Sequence, residues 1–103
     1  EDGFVHVVYF WLKNPNSQAD RLTFLSSMKE FVENNLYVNR YHIGTPANTL
    51  REIVDNSYTF CLIVTFDSKV EHTTYQIDPA HQELLKKTSP LWKKVLVYAS
   101  LKN

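Results

Sequence analysis

The sequence lacks the residues on which several large classes of function depend. Only two of its 103 residues are glycine and only one is cysteine. Phosphate-cradling loops need several closely spaced glycines, so dinucleotide- and nucleoside-triphosphate-binding loops are excluded. A single cysteine, Cys61, allows neither an intrachain disulfide nor a zinc-type cluster, and no two histidines have metal-ligand spacing. We therefore expect no metal and no cofactor.

An excess of charge of one sign is also missing. The 11 lysine and arginine residues balance the 11 aspartate and glutamate residues. A neutral chain without a basic patch is not expected to bind nucleic acid or an anionic membrane, and no apolar run is long enough to cross a bilayer. The lone cysteine is compatible with a reducing compartment, so the location stays open, with the cytoplasm favoured.

What is present is the composition of one globular domain. Hydrophobic residues make up 44% of the chain and charged residues 21%. A length of 103 residues allows one core, so we predict a single domain over residues 1–103. So short a chain buries a modest fraction of its surface, and an oligomer would add burial.

Hydrophobic periodicity predicts four strands and two helical regions. Runs of β-branched and aromatic residues indicate strands over residues 4–12, 38–44, 58–66 and 94–101. An apolar stripe predicts a helix between a cap at residues 16–17 and a stop at residues 34–35. A capping box at Ser68 and Glu71 opens a second helix, which breaks at residues 78–79 and continues to about residue 87. The order β-α-β-β-α-β predicts an α+β, ferredoxin-like fold with a four-stranded antiparallel sheet.

Both faces of this sheet are predicted to be apolar. Side chains on a strand point alternately to opposite faces, and helices cover only one face in this fold. The other face would be an apolar patch larger than a soluble monomer usually exposes, which predicts a homodimer formed sheet to sheet. In the first strand this face carries Val5, Val7, Tyr9 and Trp11, and in the third it carries Cys61, Ile63 and Thr65.

Several segments resemble a known family. They are HVVYFWLK at residues 6–13, the strand at 58–66, YQIDPAH at 75–81 and LWKKVLV at 91–97. Together they are similar to the stress-responsive A/B barrel domain (Dabb) family of the dimeric α+β barrel superfamily. The resemblance covers nearly the whole chain, and its most specific part is the Tyr-x-x-x-Pro-x-His pattern. It implies a ferredoxin-like protomer whose sheet forms a central barrel with that of a second copy.

The resemblance also implies candidate site residues. One plant member of the family is a polyketide cyclase that closes a poly-β-ketone by aldol condensation. Its catalytic histidine and tyrosine match His81 and Tyr75, a first-strand histidine matches His6, and a pocket tryptophan matches Trp92. The sequence also departs from this pattern. A pocket tyrosine and a pocket histidine of the cyclase align with Met28 and Phe60, and an aspartate and a histidine of many family members align with Ala99 and Asp78.

The residues themselves point to the same place. The predicted helix face that carries His81 also carries Ile77, Leu84 and Leu85, and it must look toward the sheet. His6 shares a strand face with Val8 and is expected to point to the same space. A polar pair in an apolar cleft is typical of a small-molecule site. The predicted walls of this cleft are Met28, Phe60, Leu62, Leu85 and Trp92.

Structural roles for the same residues remain open. His81 would then be a hydrogen-bonded core residue. His6 would cap a strand edge or bond Tyr75, and Tyr75 would simply pack. His42 and His72 have polar neighbours in the sequence and are predicted to be solvated.

The sequence therefore leaves three candidate functions. The first is a dimer that binds a small apolar ligand bearing a carbonyl or hydroxyl group, with proton transfer by His81 and Tyr75. The second is a non-catalytic, stress-related oligomeric protein. The third is a monooxygenase of the antibiotic-biosynthesis or haem-degrading kind, which no residue here singles out.

Overall fold

The computed structural model describes residues 2–103 and contains one antiparallel sheet with helices on one of its faces. The order of the elements confirms the predicted ferredoxin-like fold, with the second helical region divided into two helices. The elements are β1 (Phe4–Leu12), α1 (Gln18–Glu33), β2 (Arg40–Gly44), β3 (Phe60–Phe66), α2 (Lys69–Ile77), α3 (Pro79–Thr88), a 3-10 turn (Ser89–Leu91) and β4 (Trp92–Leu101).

The strands lie in the order β2-β3-β1-β4, so β1 is flanked by β3 and β4. Val8 of β1 is paired with Leu62 of β3 and with Val97 of β4. The register puts the even-numbered residues of β1 on the helix side together with the even-numbered residues of β3. Every one of these side chains is buried.

Local capping explains where the helices begin. The Ser17 side chain accepts a hydrogen bond from the Asp20 amide at the start of α1. At the start of α2, Ser68 accepts from the Val70 amide, while its hydroxyl contacts the Glu71 carboxylate. Asp78 leaves the helical conformation, and its side chain then caps α3 by accepting from the Ala80 amide. The helix is therefore interrupted at Asp78, which separates α3 from α2.

Three strand boundaries differ from the prediction. β2 begins at residue 40 rather than 38, β3 at 60 rather than 58, and β4 at 92 rather than 94. The loop between β2 and β3 consequently covers residues 45–59. It is attached to β1 by hydrogen bonds from Trp11 Nε1 to Ser57 Oγ (3.2 Å) and from the Leu12 amide to Thr59 Oγ1 (3.0 Å).

The sheet face away from the helices, here called the open face, has an apolar centre. Val7 pairs there with Ile63 and Tyr98, and Tyr9 pairs with Cys61 and Leu96. Tyr98 is 57% exposed in the single chain. No helix among residues 2–103 is long and apolar enough to span a bilayer.

Candidate functional site

A cavity of about 180 Å³ lies between the sheet and the helices. Its volume is close to the roughly 150 Å³ of an engineered apolar cavity that holds benzene. Six elements contribute to it, namely β1, β3, β4, α1, α2 and α3. Its lining consists of His6, Val8, Phe10, Met28, Leu62, Tyr75, Gln76, His81, Leu84, Leu85, Trp92, Val95 and Val97.

The structure brings most of the predicted site residues to this cavity. The three candidate catalytic residues, His6, Tyr75 and His81, line it, as do four of the five predicted wall residues. Phe60 does not line the cavity, so the prediction that it forms part of the wall is wrong. The Phe60 ring stacks on Phe24 with 5.0 Å between ring centroids and lies under the Arg21 guanidinium, because it sits at the end of β3 beside the start of α1.

A second correction concerns the helix face that carries His81. Ile77 was predicted to share this face, yet it is 72% exposed. The spacing rule holds only inside one continuous helix, and the Asp78 cap separates Ile77 in α2 from His81 in α3. Leu84 and Leu85 belong to α3 and do line the cavity with His81.

Tyr75 is the central ring of the site. It is buried at the end of α2, with its ring centroid 5.3 Å from that of His81 and 6.1 Å from that of His6. Phe66 and Phe31 pack against it at 4.8 and 5.1 Å. These contacts hold the phenol in one place between the two imidazoles.

His72 was predicted to be solvated, and that prediction is wrong. The side chain is buried, its Nε2 lies 3.2 Å from Nδ1 of His6, and its ring stacks on Phe4 with 4.3 Å between centroids. The signal that could have found it is its position three residues before Tyr75, which places both on one face of α2. His42, by contrast, is exposed, as predicted.

Burial keeps the ionisable groups of the site neutral. It lowers the pKa of His6 to about 4, helped by charge repulsion from His72 and His81. Burial also lowers the pKa of His72, with a smaller contribution from His81. The pKa of His81 is lowered by burial and partly restored by the nearby Asp78 carboxylate. Burial raises the pKa of Tyr75, so this phenol keeps its proton.

Two buried polar atoms that belong to cavity-lining residues have no hydrogen-bond partner within residues 2–103. They are Nδ1 of His81 and Nε1 of Trp92. Leaving a buried donor or acceptor unpaired costs roughly 1–3 kcal/mol, so native proteins rarely do so without a reason. Both atoms would gain a partner if the two side chains turned toward a molecule bound in the cavity.

The imidazoles do not form a metal site. Although three histidines come close together, residues 2–103 contain no group of three or more His, Cys, Asp or Glu side chains that could hold a metal ion. The arrangement instead offers neutral hydrogen-bond donors and acceptors around an apolar space.

Solved structures share this fold at low sequence identity. A hydroxynitrile lyase from Passiflora edulis has a TM-score of 0.84 at 19% identity, with 100% of this chain and 96% of that chain covered. A Dabb family protein with a ferredoxin-like fold from Mesorhizobium loti has a TM-score of 0.81 at 20% identity, with 97% and 96% covered. A dimeric ferredoxin-like protein of unknown function from Thermobifida fusca has a TM-score of 0.79 at 13% identity, with 96% and 90% covered.

No curated protein sequence matches the chain at a significant level. A family model does: the one described as the stress responsive A/B barrel domain matches residues 4–99. That match covers nearly the whole chain. The chain therefore belongs to the stress responsive A/B barrel domain (Dabb) family.

Proposed function

We propose that this chain forms a homodimer and binds a small, largely apolar molecule bearing a carbonyl or hydroxyl group in the cavity between sheet and helices. His81 and Tyr75 would carry out proton transfer on that molecule. The observation that carries the proposal is the pair of unpartnered buried atoms, Nδ1 of His81 and Nε1 of Trp92, which belong to two residues that line the cavity.

The composition of the wall supports a neutral ligand of this kind. Most lining residues are aliphatic or aromatic, and none of them is Lys, Arg, Asp or Glu. Apolar walls with a few polar groups are usual for small-molecule sites, where the polar groups set orientation. A carboxylate or an ammonium group would be buried there without a countercharge, which is costly.

The chemistry follows from the protonation states. His81 is a neutral base, because its pKa is lowered by burial, and Tyr75 is a neutral donor, because burial raises its pKa. His81 would take a proton from the carbon next to a carbonyl. The electrons of that C–H bond form a C=C bond, and the C=O pair moves onto oxygen, where the Tyr75 hydroxyl stabilises the enolate.

The Passiflora edulis structure suggests which compounds to test first. That protein is a hydroxynitrile lyase, and a hydroxynitrile is a small molecule bearing a hydroxyl group. Aromatic hydroxynitriles and the corresponding aldehydes match the proposed ligand class, and a single ring matches the cavity volume. At 19% identity the likeness shows the fold alone, so it serves here to choose probes.

The open face supports the homodimer. Its centre is apolar in three neighbouring strands, and Tyr98 and Leu96 are left in contact with solvent in the single chain. Packing this face against its copy would remove the patch from water. The Thermobifida fusca relative with the same fold is a dimer.

The test is a binding screen with matched variants. Benzaldehyde, acetophenone and mandelonitrile are compared with ethylbenzene, which has similar size but no oxygen, by ligand-observed NMR and thermal shift. We expect the oxygen-bearing compounds to bind the native protein and to bind His81→Ala and Tyr75→Phe more weakly. Gln82→Ala, an exposed neighbour of His81 on α3, should bind like the native protein.

The same variants separate the ligand-binding function from a non-catalytic, oligomeric one. The buried Nδ1 of the His81 side chain makes no hydrogen bond, so removing it leaves no partner unpaired. His81→Ala should therefore lower the free energy of unfolding by only about 1 kcal/mol. A much larger loss, with no oxygen-bearing compound bound by the native protein, would contradict the proposed function and favour a structural role.

A further inference from the structure

The hydrogen bond between His72 and His6 joins a residue outside the cavity to one that lines it. Nε2 of His72 is 3.2 Å from Nδ1 of His6, and both side chains are buried. Proton transfer by His81 and Tyr75 makes no use of His72. Packing alone does not require two nitrogen atoms to face each other either, since the His72 ring already stacks on Phe4.

Which imidazole donates can be argued from tautomer chemistry. Both pKa values are lowered by burial, so each ring carries one proton at neutral pH. A free neutral histidine side chain favours the tautomer with its proton on Nε2. If Nε2–H of His72 donates to Nδ1 of His6, both rings are in that favoured tautomer. The reverse hydrogen bond would require the proton on Nδ1 in both rings.

The consequence appears at the cavity. The hydrogen bond made by one nitrogen of an imidazole decides which nitrogen carries the proton. With Nδ1 occupied as an acceptor, His6 must hold its proton on Nε2, on the opposite side of the ring from His72. Since His6 lines the cavity and His72 does not, Nε2–H is the group of His6 that remains for a ligand.

We propose that His72 is a positioning residue: it donates Nε2–H to Nδ1 of His6 and thereby fixes His6 as a hydrogen-bond donor to an oxygen atom of the ligand. This inference deepens the proposed function and rests on it for the ligand. It assigns different roles to the two imidazoles that line the cavity. His81 accepts a proton, and His6 donates a hydrogen bond beside Tyr75. The donor requires a ligand oxygen, which fits a carbonyl or hydroxyl group.

The tautomer can be measured without any ligand. The protein has four histidines, so long-range ¹H–¹⁵N correlation spectra of the ¹⁵N-labelled chain can be assigned by substitution. We expect His6 to show one tautomer, with an unprotonated Nδ1 and a protonated Nε2. Exposed His42 serves as the internal control for an imidazole in fast exchange with water.

Two variants test the role of His72. His72→Phe keeps a ring on Phe4 but removes the donor, and His72→Gln places an amide N–H close to the position of Nε2. We expect His6 to become a mixture of tautomers in His72→Phe and to regain the Nε2–H form in His72→Gln. Affinity for benzaldehyde should fall in His72→Phe by the same factor as the measured fraction of the Nε2–H tautomer of His6, and should recover in His72→Gln.

The outcomes distinguish this inference from the proposed function. A proton on Nδ1 of His6 in the native spectrum overturns the inference even if His72→Phe fails to fold. An unchanged His6 tautomer in a folded His72→Phe overturns it as well. If the expected tautomer pattern is seen but no carbonyl or hydroxyl compound binds, the positioning role stands and the proposed ligand class fails.

Discussion

A marked loss of stability in mild acid is predicted by His6 and His72, which are buried, and by His81, which is half-buried. His6 has an ordinary pKa of 6.5, which the fold lowers to about 4. Between these two values the unfolded chain binds a proton that the native protein does not bind. Stability therefore rises with pH across this window and is lost as the pH falls from 6.5 to 4.

The size of the effect follows from that difference. One pKa unit corresponds to 1.36 kcal/mol, so the difference between 6.5 and about 4 makes the contribution of His6 at pH 4 about 3 kcal/mol. His72 and His81 have lowered pKa values and act in the same direction. The free energy of unfolding of a native protein is about 5–15 kcal/mol in total, so this loss is a large part of it.

Other groups titrate in a separate window. Asp2, Asp55 and Asp67 have pKa values lowered below 3.8 by hydrogen bonds to neighbouring side chains. Their stabilising contribution is present above pH 3.8 and is lost only as the pH falls further, through their folded values. A transition between pH 6.5 and 4 therefore reports the histidines.

The assay is urea unfolding followed by tryptophan fluorescence at pH 7, 6, 5 and 4, extrapolated linearly to water. Protein concentration is kept constant, and sedimentation at each pH checks the oligomeric state, because association also changes apparent stability. His6→Gln should remove about 3 kcal/mol of the pH dependence, whereas Gln82→Ala, an exposed and non-titrating control, should leave it unchanged. A native protein equally stable at pH 7 and pH 4.5 would refute the reasoning.

Two further predictions concern the open face. Val7→Lys or Ile63→Lys should dissociate or unfold the dimer, because an unpaired charge would be buried between the sheets, while Leu22→Lys on the exposed side of α1 should have no effect. Sedimentation measures this, and a stable native monomer of 12.1 kDa would contradict it. Cys61 is buried, so thiol labelling of the native protein should be slow and should become fast in denaturant. Rapid stoichiometric labelling without denaturant would show that this part of the open face is accessible.

Local sequence patterns determined the elements and their faces. The alternation in residues 4–12 places His6 with Val8 on the helix side, and the structure agrees because a strand turns each successive side chain to the opposite face. The caps at Ser17, Ser68 and Asp78 were predictable for a similar reason, since the residues that satisfy a helix end lie within a few positions of it. Family membership likewise followed from motifs that occupy most of the chain.

Contacts between distant elements were decided only by tertiary structure. His6 and His72 are 66 positions apart, and the polar neighbours of His72 in the sequence concealed its burial. Phe60 lies on the helix side of β3, as predicted, but at the first residue of the strand. There it packs against Phe24 of α1 and not against the cavity. The unpaired atoms of His81 and Trp92 lie on different elements, α3 and β4, so their burial depends on how these elements pack. A periodic pattern specifies the direction of a side chain, whereas the distance between two side chains on different elements depends on how whole helices pack over the sheet.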